Sequence, residues 1–199
     1  MRSACEALRS VDRTMARLID RHGAPRFGAS RHAGGAFPAL ARAICHQQLA
    51  GAAAAAIHGR FEALFDGPIT PAAALALPEP SLRAAGLSAS KAGSIRDLAA
   101  KAVDGTIPLD ALARLPDDEI VRRLVLVRGV GPWTAEMFLI FQLRRLDVWP
   151  VLDYGVRKGY ARAYRRRELP DGRELARLGE KYRPFRSVAA WYLWREADG

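Results

Sequence analysis

Along most of the chain, apolar residues recur at intervals of three and four, while the strict alternation of a half-buried strand is scarce. Helix-length segments are separated by Pro, Gly, Ser or Asp, so the pattern predicts an all-α fold. Residues Arg9 to His22 read as a first amphipathic helix. The stretch "FPALARAICHQQLAGAAAAAIHGRFEALF" gives one or two longer helices whose small central residues let neighbouring backbones approach closely. Thr70-Pro71 opens a short helix over Ala72 to Ala76, Glu79-Pro80-Ser81 opens another that ends at Gly86, and Ser88 or Ser90 caps "KAGSIRDLAAKAVDG". A short helix over Leu109 to Leu115 is stopped by Pro116. The next is capped by Asp117 or Asp118 and aligns Ile120, Val121, Leu124 and Val125 on one face. Past Asp153 the chain predicts helices over Tyr154 to Tyr164, over Arg173 to Lys181, and in "SVAAWYLWREA".

A chain of 199 residues can bury a sizeable core, as one domain or as two intimately packed lobes. Half of it is apolar, which excludes a disordered chain. Lys and Arg total 31 against 21 Asp and Glu, a formal charge of +10, and a polyanion is therefore the first partner to consider. Cys5 and Cys45 cannot supply the four thiolates of an iron-sulfur cluster, nor is there zinc-ligand spacing around them, so both read as ordinary reduced thiols. No apolar run reaches the roughly 18 residues of a membrane span, and "MRSACEALRSVDR" lacks the apolar core of a secretory signal. The expected location is cytoplasmic, nucleoid-associated if DNA is the partner.

The stretch "LVRGVGPWTAEMF" joins two helices through Gly129-Val130-Gly131-Pro132. Glycine takes positive φ without steric cost, and Pro132 suits the first helical position, where its missing N–H would be unpaired anyway. The result is a helical hairpin presenting backbone N–H groups at a helix start, a geometry that binds phosphate without reading sequence. "TAEMFLIFQL" is apolar on nearly every side and must be buried, which fixes the turn. A glycine cap followed by a proline start also occurs in helical proteins that bind nothing. The basic charge, the regular apolar flanks and a carboxylate about twenty residues downstream favour the phosphate grip.

Two carboxylates compete for that downstream role. Asp147 lies beside Arg144 and Arg145, where a turn or salt-bridge role suffices, whereas Asp153 immediately precedes a Tyr-Gly helix start and can act as its N-cap. Capping and catalysis are compatible, because N–H donors stabilise a carboxylate's charge.

Together these pieces resemble the helix-hairpin-helix (HhH-GPD) DNA glycosylase superfamily, and within it the 3-methyladenine DNA glycosylase II branch. "LVRGVGPWTAEMFLIF" is similar to the family's hairpin, "DVWPVLDYGVRK" to the loop that carries its aspartate, and "AICHQQLAGAAAAAI", "GLSASKAGSIRDLA" and "RPFRSVAAWYLWR" to further segments in the same order, from Phe37 to Arg195. The resemblance implies a two-lobed fold with an interlobe cleft, in a compact form without the N-terminal β-rich lobe of larger relatives. One lobe would span about 39–160, including the hairpin at 117–143, and the other 1–38 plus 161–199. Asp153 becomes the catalytic carboxylate. Breaking an N-glycosidic bond builds positive charge on the sugar, which an ionised carboxylate stabilises while it orients or deprotonates the attacking water. An alkylated purine is already cationic and stacks on aromatic rings, so Trp133, Trp149 and Tyr154 are candidates for the pocket.

The target base must leave the duplex, and Gln48 matches the wedge that fills the gap, with Leu49 as the alternative and His46 and Gln47 as neighbouring DNA contacts. The Gln pair can equally satisfy backbone groups at a helix end. Arg128, Gly129, Val130, Gly131 and Thr134 would form the phosphate grip, and Lys91, Arg96 and Arg157 are cations able to reach phosphates or to lie in solvent. Bifunctional relatives carry a nucleophilic lysine where this chain has Trp133, which implies a monofunctional enzyme that leaves an abasic site. The scarcity of cysteine separates it from the iron-sulfur endonuclease III branch. No organic cofactor is implied; the resemblance leaves open a monovalent metal ion on the hairpin backbone at Arg128 and Val130. The expected partner is duplex DNA with alkylated bases, no membrane, and the expected state a monomer. The rival readings are a non-catalytic helix-hairpin-helix DNA-binding protein, a glycosylase for oxidised or mismatched bases, and a helical protein-interaction domain.

Overall fold

The computed structural model describes residues 1–27, 34–49 and 51–199, and every regular element among them is helical. Among the described residues twelve α-helices follow one another: α1 Arg2–Val11, α2 Arg13–His22, α3 Ala36–His46, α4 Gly51–Glu62, α5 Pro71–Ala76, α6 Glu79–Ala84, α7 Ala89–Val103, α8 Asp117–Leu124, α9 Pro132–Met137, α10 Tyr154–Ala163, α11 Gly172–Gly179 and α12 Arg186–Asp198. A π-turn, Phe138–Gln142, continues α9. Among the described residues no helix is long and apolar enough to cross a membrane.

The helix starts obey local capping chemistry. Thr70 accepts from the Ala73 N–H at 3.2 Å, Ser88 from Lys91 at 3.2 Å and Asp171 from Glu174 at 2.7 Å, each satisfying a donor that the first helical turn leaves unpaired. Three expectations give way. The single helix expected over Arg9 to His22 is two, because Asp12 turns extended (φ −164°, ψ 166°) and caps α2 through the Met15 N–H at 2.8 Å. The helix expected over Leu109 to Leu115 shrinks to a 3₁₀ turn, Leu112–Arg114. Pro116, not Asp117 or Asp118, holds the N-cap position of α8; both aspartates sit with Glu119 in its first turn, where negative charge complements the helix dipole.

The backbone divides into two compact units, Met1–Ala29 with Leu139–Gly199, and Ser30–Phe138. The division differs from the one the sequence suggested, which kept 139–160 with the hairpin. The reason is α10, which packs along α12. Gly159 lies so close to that helix that a Cβ on it would sit 1.9 Å from the Leu193 carbonyl oxygen. In the same unit the α1 and α2 pair packs on α12, burying Leu8, Met15, Leu18, Val188 and Tyr192.

Asp12 ties the ends of this unit together. Its carboxylate accepts from Lys181 Nζ at 2.6 Å and from the Tyr164 hydroxyl at 2.8 Å, besides the cap bond. Burial by itself would raise its pKa; the bonds from Lys181, Met15 and Tyr164 outweigh that and hold it below the ordinary aspartate value. In the second unit α7 is central, packing on α3, α5 and α6; Ile95, Leu98 and Ala99 are buried on α7, Leu40 and Ile44 on α3 and Leu82 on α6.

Two outcomes follow from this packing. Gly159→Ala should cost about 3 kcal/mol, since backbone rather than a flexible side chain must move, and chemical denaturation would show it as a lower midpoint. Asp12→Asn should cost about 1–2 kcal/mol at neutral pH. A depressed folded pKa contributes stability that is present above the unfolded value and lost as pH falls through the folded one. The gap in melting temperature between wild type and variant should therefore be full above about pH 5 and close below about pH 4.

Candidate active site and nucleic-acid interface

Asp153 is 8% exposed, and a buried carboxylate is costly unless hydrogen bonds replace its water. It stands at the N-cap of α10, where its Oδ1 accepts from the Val156 N–H at 2.8 Å, as the sequence suggested. A second donor reaches the same oxygen: the indole N–H of Trp194, on α12, at 2.8 Å. No residue near Asp153 in sequence announces this partner. The local trace of it is Gly155, where a Cβ would lie 2.8 Å from Trp194 Cδ1 and 3.1 Å from Asp153 Oδ1, so only glycine admits the indole. Trp194 in turn stacks on Phe141 of the π-turn, ring centroids 5.6 Å apart at 27°, and Phe141 meets Phe27 at 6.3 Å. Phe141 is 38% and Tyr154 64% exposed, so this unit presents aromatic surface alongside a held carboxylate.

The other carboxylate, Asp147, is structural. Its oxygens take Arg183 and Arg186 at 2.8 Å each, fixing the loop before Trp149 to the start of α12. Trp149 does not serve as a pocket wall: it is buried, its indole N–H donates to the Leu175 carbonyl at 2.8 Å, and Tyr182 packs on its ring at 5.5 Å. Trp133 lies in the other unit, on α9, and is 43% exposed.

In the unit Ser30–Phe138, α3 ends at His46 and α4 begins at Gly51, with a short loop that starts at Gln47 between them. Gln48 adopts φ +55° there, a left-handed conformation rare for a residue with a side chain, and it is exposed together with Leu49. These two form the projecting tip. Gln47 and His46, expected as DNA contacts, make hydrogen bonds within the protein. Gln47 Nε2 donates to the Gly129 carbonyl and to Thr134 Oγ1, both at 3.1 Å, and His46 Nδ1 pairs with the Arg42 carbonyl at 2.9 Å. Of the glutamine pair, Gln47 satisfies backbone and side-chain groups of the hairpin, while Gln48 is exposed.

The hairpin turn is exposed at Arg128, Gly129, Gly131, Pro132 and Trp133, and is anchored by buried Val130 and Thr134. Gly129 has φ +74°, and a Cβ there would sit 2.6 Å from Ser94 Oγ, so the position is closed to any other residue on two counts. Gly131 has φ −96° and needs no such freedom. The backbone N–H of Arg128 is not on offer to a ligand, because Asp97 Oδ2 accepts it at 2.7 Å. Asp97 is held below its ordinary pKa: burial would raise it, but the bonds from Lys101 and the Arg128 N–H prevail. Of the other cations expected to reach phosphates, Lys91 bonds the Cys45 and Gln47 carbonyls, Arg96 the Leu77 carbonyl at 2.8 Å and Arg157 the Pro170 carbonyl at 2.7 Å. Their heads are engaged in holding backbone.

The chain is similar to known proteins. DNA-3-methyladenine glycosylase 1 of Schizosaccharomyces pombe is 36% identical over 191 residues, 94% of this chain and 84% of that protein. A solved structure of S. pombe 3-methyladenine DNA glycosylase (Mag1) in complex with abasic DNA superposes with a TM-score of 0.87 at 34% identity, covering 97% of this chain and 95% of the other. A DNA-3-methyladenine glycosidase structure from Bacillus halodurans gives a TM-score of 0.86 at 31% identity, covering 98% and 88%. The sequence profile of HhH-GPD superfamily base excision DNA repair proteins matches residues 41–184. With its capping aspartate, its hairpin and this match over most of its length, the chain belongs to the HhH-GPD superfamily.

Proposed function

We propose that this protein is a monofunctional DNA-3-methyladenine glycosylase: it hydrolyses the N-glycosidic bond of alkylated purines in duplex DNA and leaves an abasic site. The observation that carries the reading is Asp153, buried to 8% exposure and held through one oxygen by the Val156 N–H and the Trp194 indole. Relatives named for 3-methyladenine excision, one of them solved on abasic DNA, support it.

The chemistry follows from where charge develops. In a purine alkylated on a ring nitrogen the base is already cationic, so the C1′–N9 bond breaks with its electron pair passing to the ring, which becomes neutral. Positive charge moves to the sugar, where a fixed carboxylate is worth most, because it needs no reorganisation at that moment. Water adds to C1′, and its proton passes to the carboxylate or to solvent. No acid is required for so good a leaving group. Trp194 fixes the carboxylate's orientation, and the partly exposed rings of Phe141 and Tyr154 are surfaces on which an electron-poor base can stack.

In the other unit the hairpin turn grips the phosphate backbone and Gln48, or Leu49, fills the space left by the extruded base. Trp133 stands where a Schiff-base lysine would be needed for strand cleavage. If a monovalent cation assists the hairpin, the carbonyls of Arg128 and Val130 would hold it; those of Val127 and Gly129 already accept from the Val130 N–H at 3.0 Å and from Gln47 at 3.1 Å. Carbonyl oxygen suits a hard ion, which would supply positive charge toward a phosphate. The reading further includes a monomer acting in the cytoplasm on the nucleoid, without an organic cofactor or iron-sulfur cluster.

Base release from methylated duplex DNA, with abasic sites revealed by alkaline cleavage, tests the reading. Asp153→Asn should lower the single-turnover rate about 10²- to 10³-fold while DNA binding, weakening steeply with salt, is kept. Binding without release by the wild type would instead mark a non-catalytic DNA-binding protein, and release of oxidised bases alone would mark the other glycosylase class. Trp194→Phe keeps the ring stack and removes the N–H donor. It should slow release about tenfold at unchanged DNA affinity, a loss typical for one hydrogen bond to a charged group.

A further inference from the structure

Along one stripe of α7, residues Lys91, Ser94, Asp97 and Lys101 follow at spacings of three, three and four, which places them on a common face. Each is committed to a contact. Lys91 Nζ donates to the Cys45 and Gln47 carbonyls at 2.8 and 2.7 Å, the end of α3 and the first loop residue. Ser94 Oγ lies directly beneath Gly129 of the hairpin turn, and Asp97 accepts the neighbouring Arg128 N–H while Lys101 braces its other oxygen at 2.5 Å. Gln47 closes the circuit, its backbone carbonyl on Lys91 and its side-chain amide on Gly129 and Thr134. One face of one helix thus holds both the loop that projects Gln48 and the turn that would meet the phosphates.

We propose that α7 is a splint that fixes the base-displacing loop relative to the phosphate-gripping turn, and that Lys91 and Gln47 are positioning residues for extrusion of the target base. The inference rests on the function proposed above. Its physical basis is that displacement of a base needs a wedge that does not recoil. Six residues of helix, about 9 Å, separate Lys91 from Asp97, and an α-helix is stiff over that length. A cation at the end of α3 complements the negative end of its dipole, and the three N–H groups of an ammonium suffice to bridge two carbonyls. Burial lowers the Lys91 pKa, with the nearby Cys45 acting in the opposite sense, and the group stays in place because both acceptors are fixed. Gln48, with φ +55°, is held in a conformation it would otherwise leave, since the residue before it is tied at both backbone and side chain.

A splint acts on extrusion and not on bond breaking, and two substrates separate these steps. One carries the alkylated purine in a fully paired duplex; the other carries it opposite an abasic-site analogue, where extrusion costs little. Single-turnover release by Lys91→Met and Gln47→Ala should fall about tenfold or more on the paired substrate and less than about twofold on the other, with Lys91→Arg restoring most of the loss because its fork also reaches two carbonyls. If Lys91→Met does not fold, as a thermal melt would reveal, Gln47→Ala carries the test alone. Equal losses on both substrates, or no loss on either, would overturn the inference. A wild type inactive on both would instead overturn the glycosylase reading itself.

Discussion

Gly159 has no side chain, and the Leu193 carbonyl occupies the space where one would be. That single close crossing of α10 and α12 sets the rest of its unit. The residue after Leu193 is Trp194, and with the two backbones this near its indole reaches the carboxylate at the start of α10. Gly155, one turn earlier, clears the path for the ring. Two glycines on one helix therefore decide that a buried aspartate can have a donor from another element, which offsets part of the cost of its burial. The geometry that makes Asp153 tolerable is also the geometry that aims it.

The unit Ser30–Phe138 solves a related problem with backbone groups. Helix ends and turns leave carbonyls and N–H groups that must be paired if they are not to face water. Here the pairing is done by side chains of Lys91, Gln47 and Asp97, each of which closes a contact between segments far apart in sequence. The exposed turn and Gln48 are thereby presented on rigid supports. Function on loops positioned by helices is a common economy of folds, and in this chain the supports can be named residue by residue.

Much of the element pattern was legible, because it depends on neighbours in sequence. The caps at Thr70, Ser88 and Asp153, the proline start at Pro132 and the helix following each are local events of one or two hydrogen bonds. Where local signals competed, tertiary structure chose. Asp12 broke a helix that periodicity would have run through, since its carboxylate also serves Lys181 and Tyr164 more than 150 residues away. Trp149 and Trp133 looked alike as candidates for an aromatic pocket, yet one is buried on the Leu175 carbonyl and the other is exposed.

The sequence by itself determined the helical class, the glycine-proline hairpin and the identity of the capping aspartate, because periodicity, φ preference and capping are written in spans of a few residues. Only the tertiary structure decided that Trp194 is the partner of Asp153, that Asp147 belongs to Arg183 and Arg186, and that Gln47 supports the hairpin while Gln48 projects. Those pairings join side chains 36 to 87 residues apart. No local rule couples positions at such separations; the packing of helices does, by bringing a donor and an acceptor to within 3 Å or so of each other.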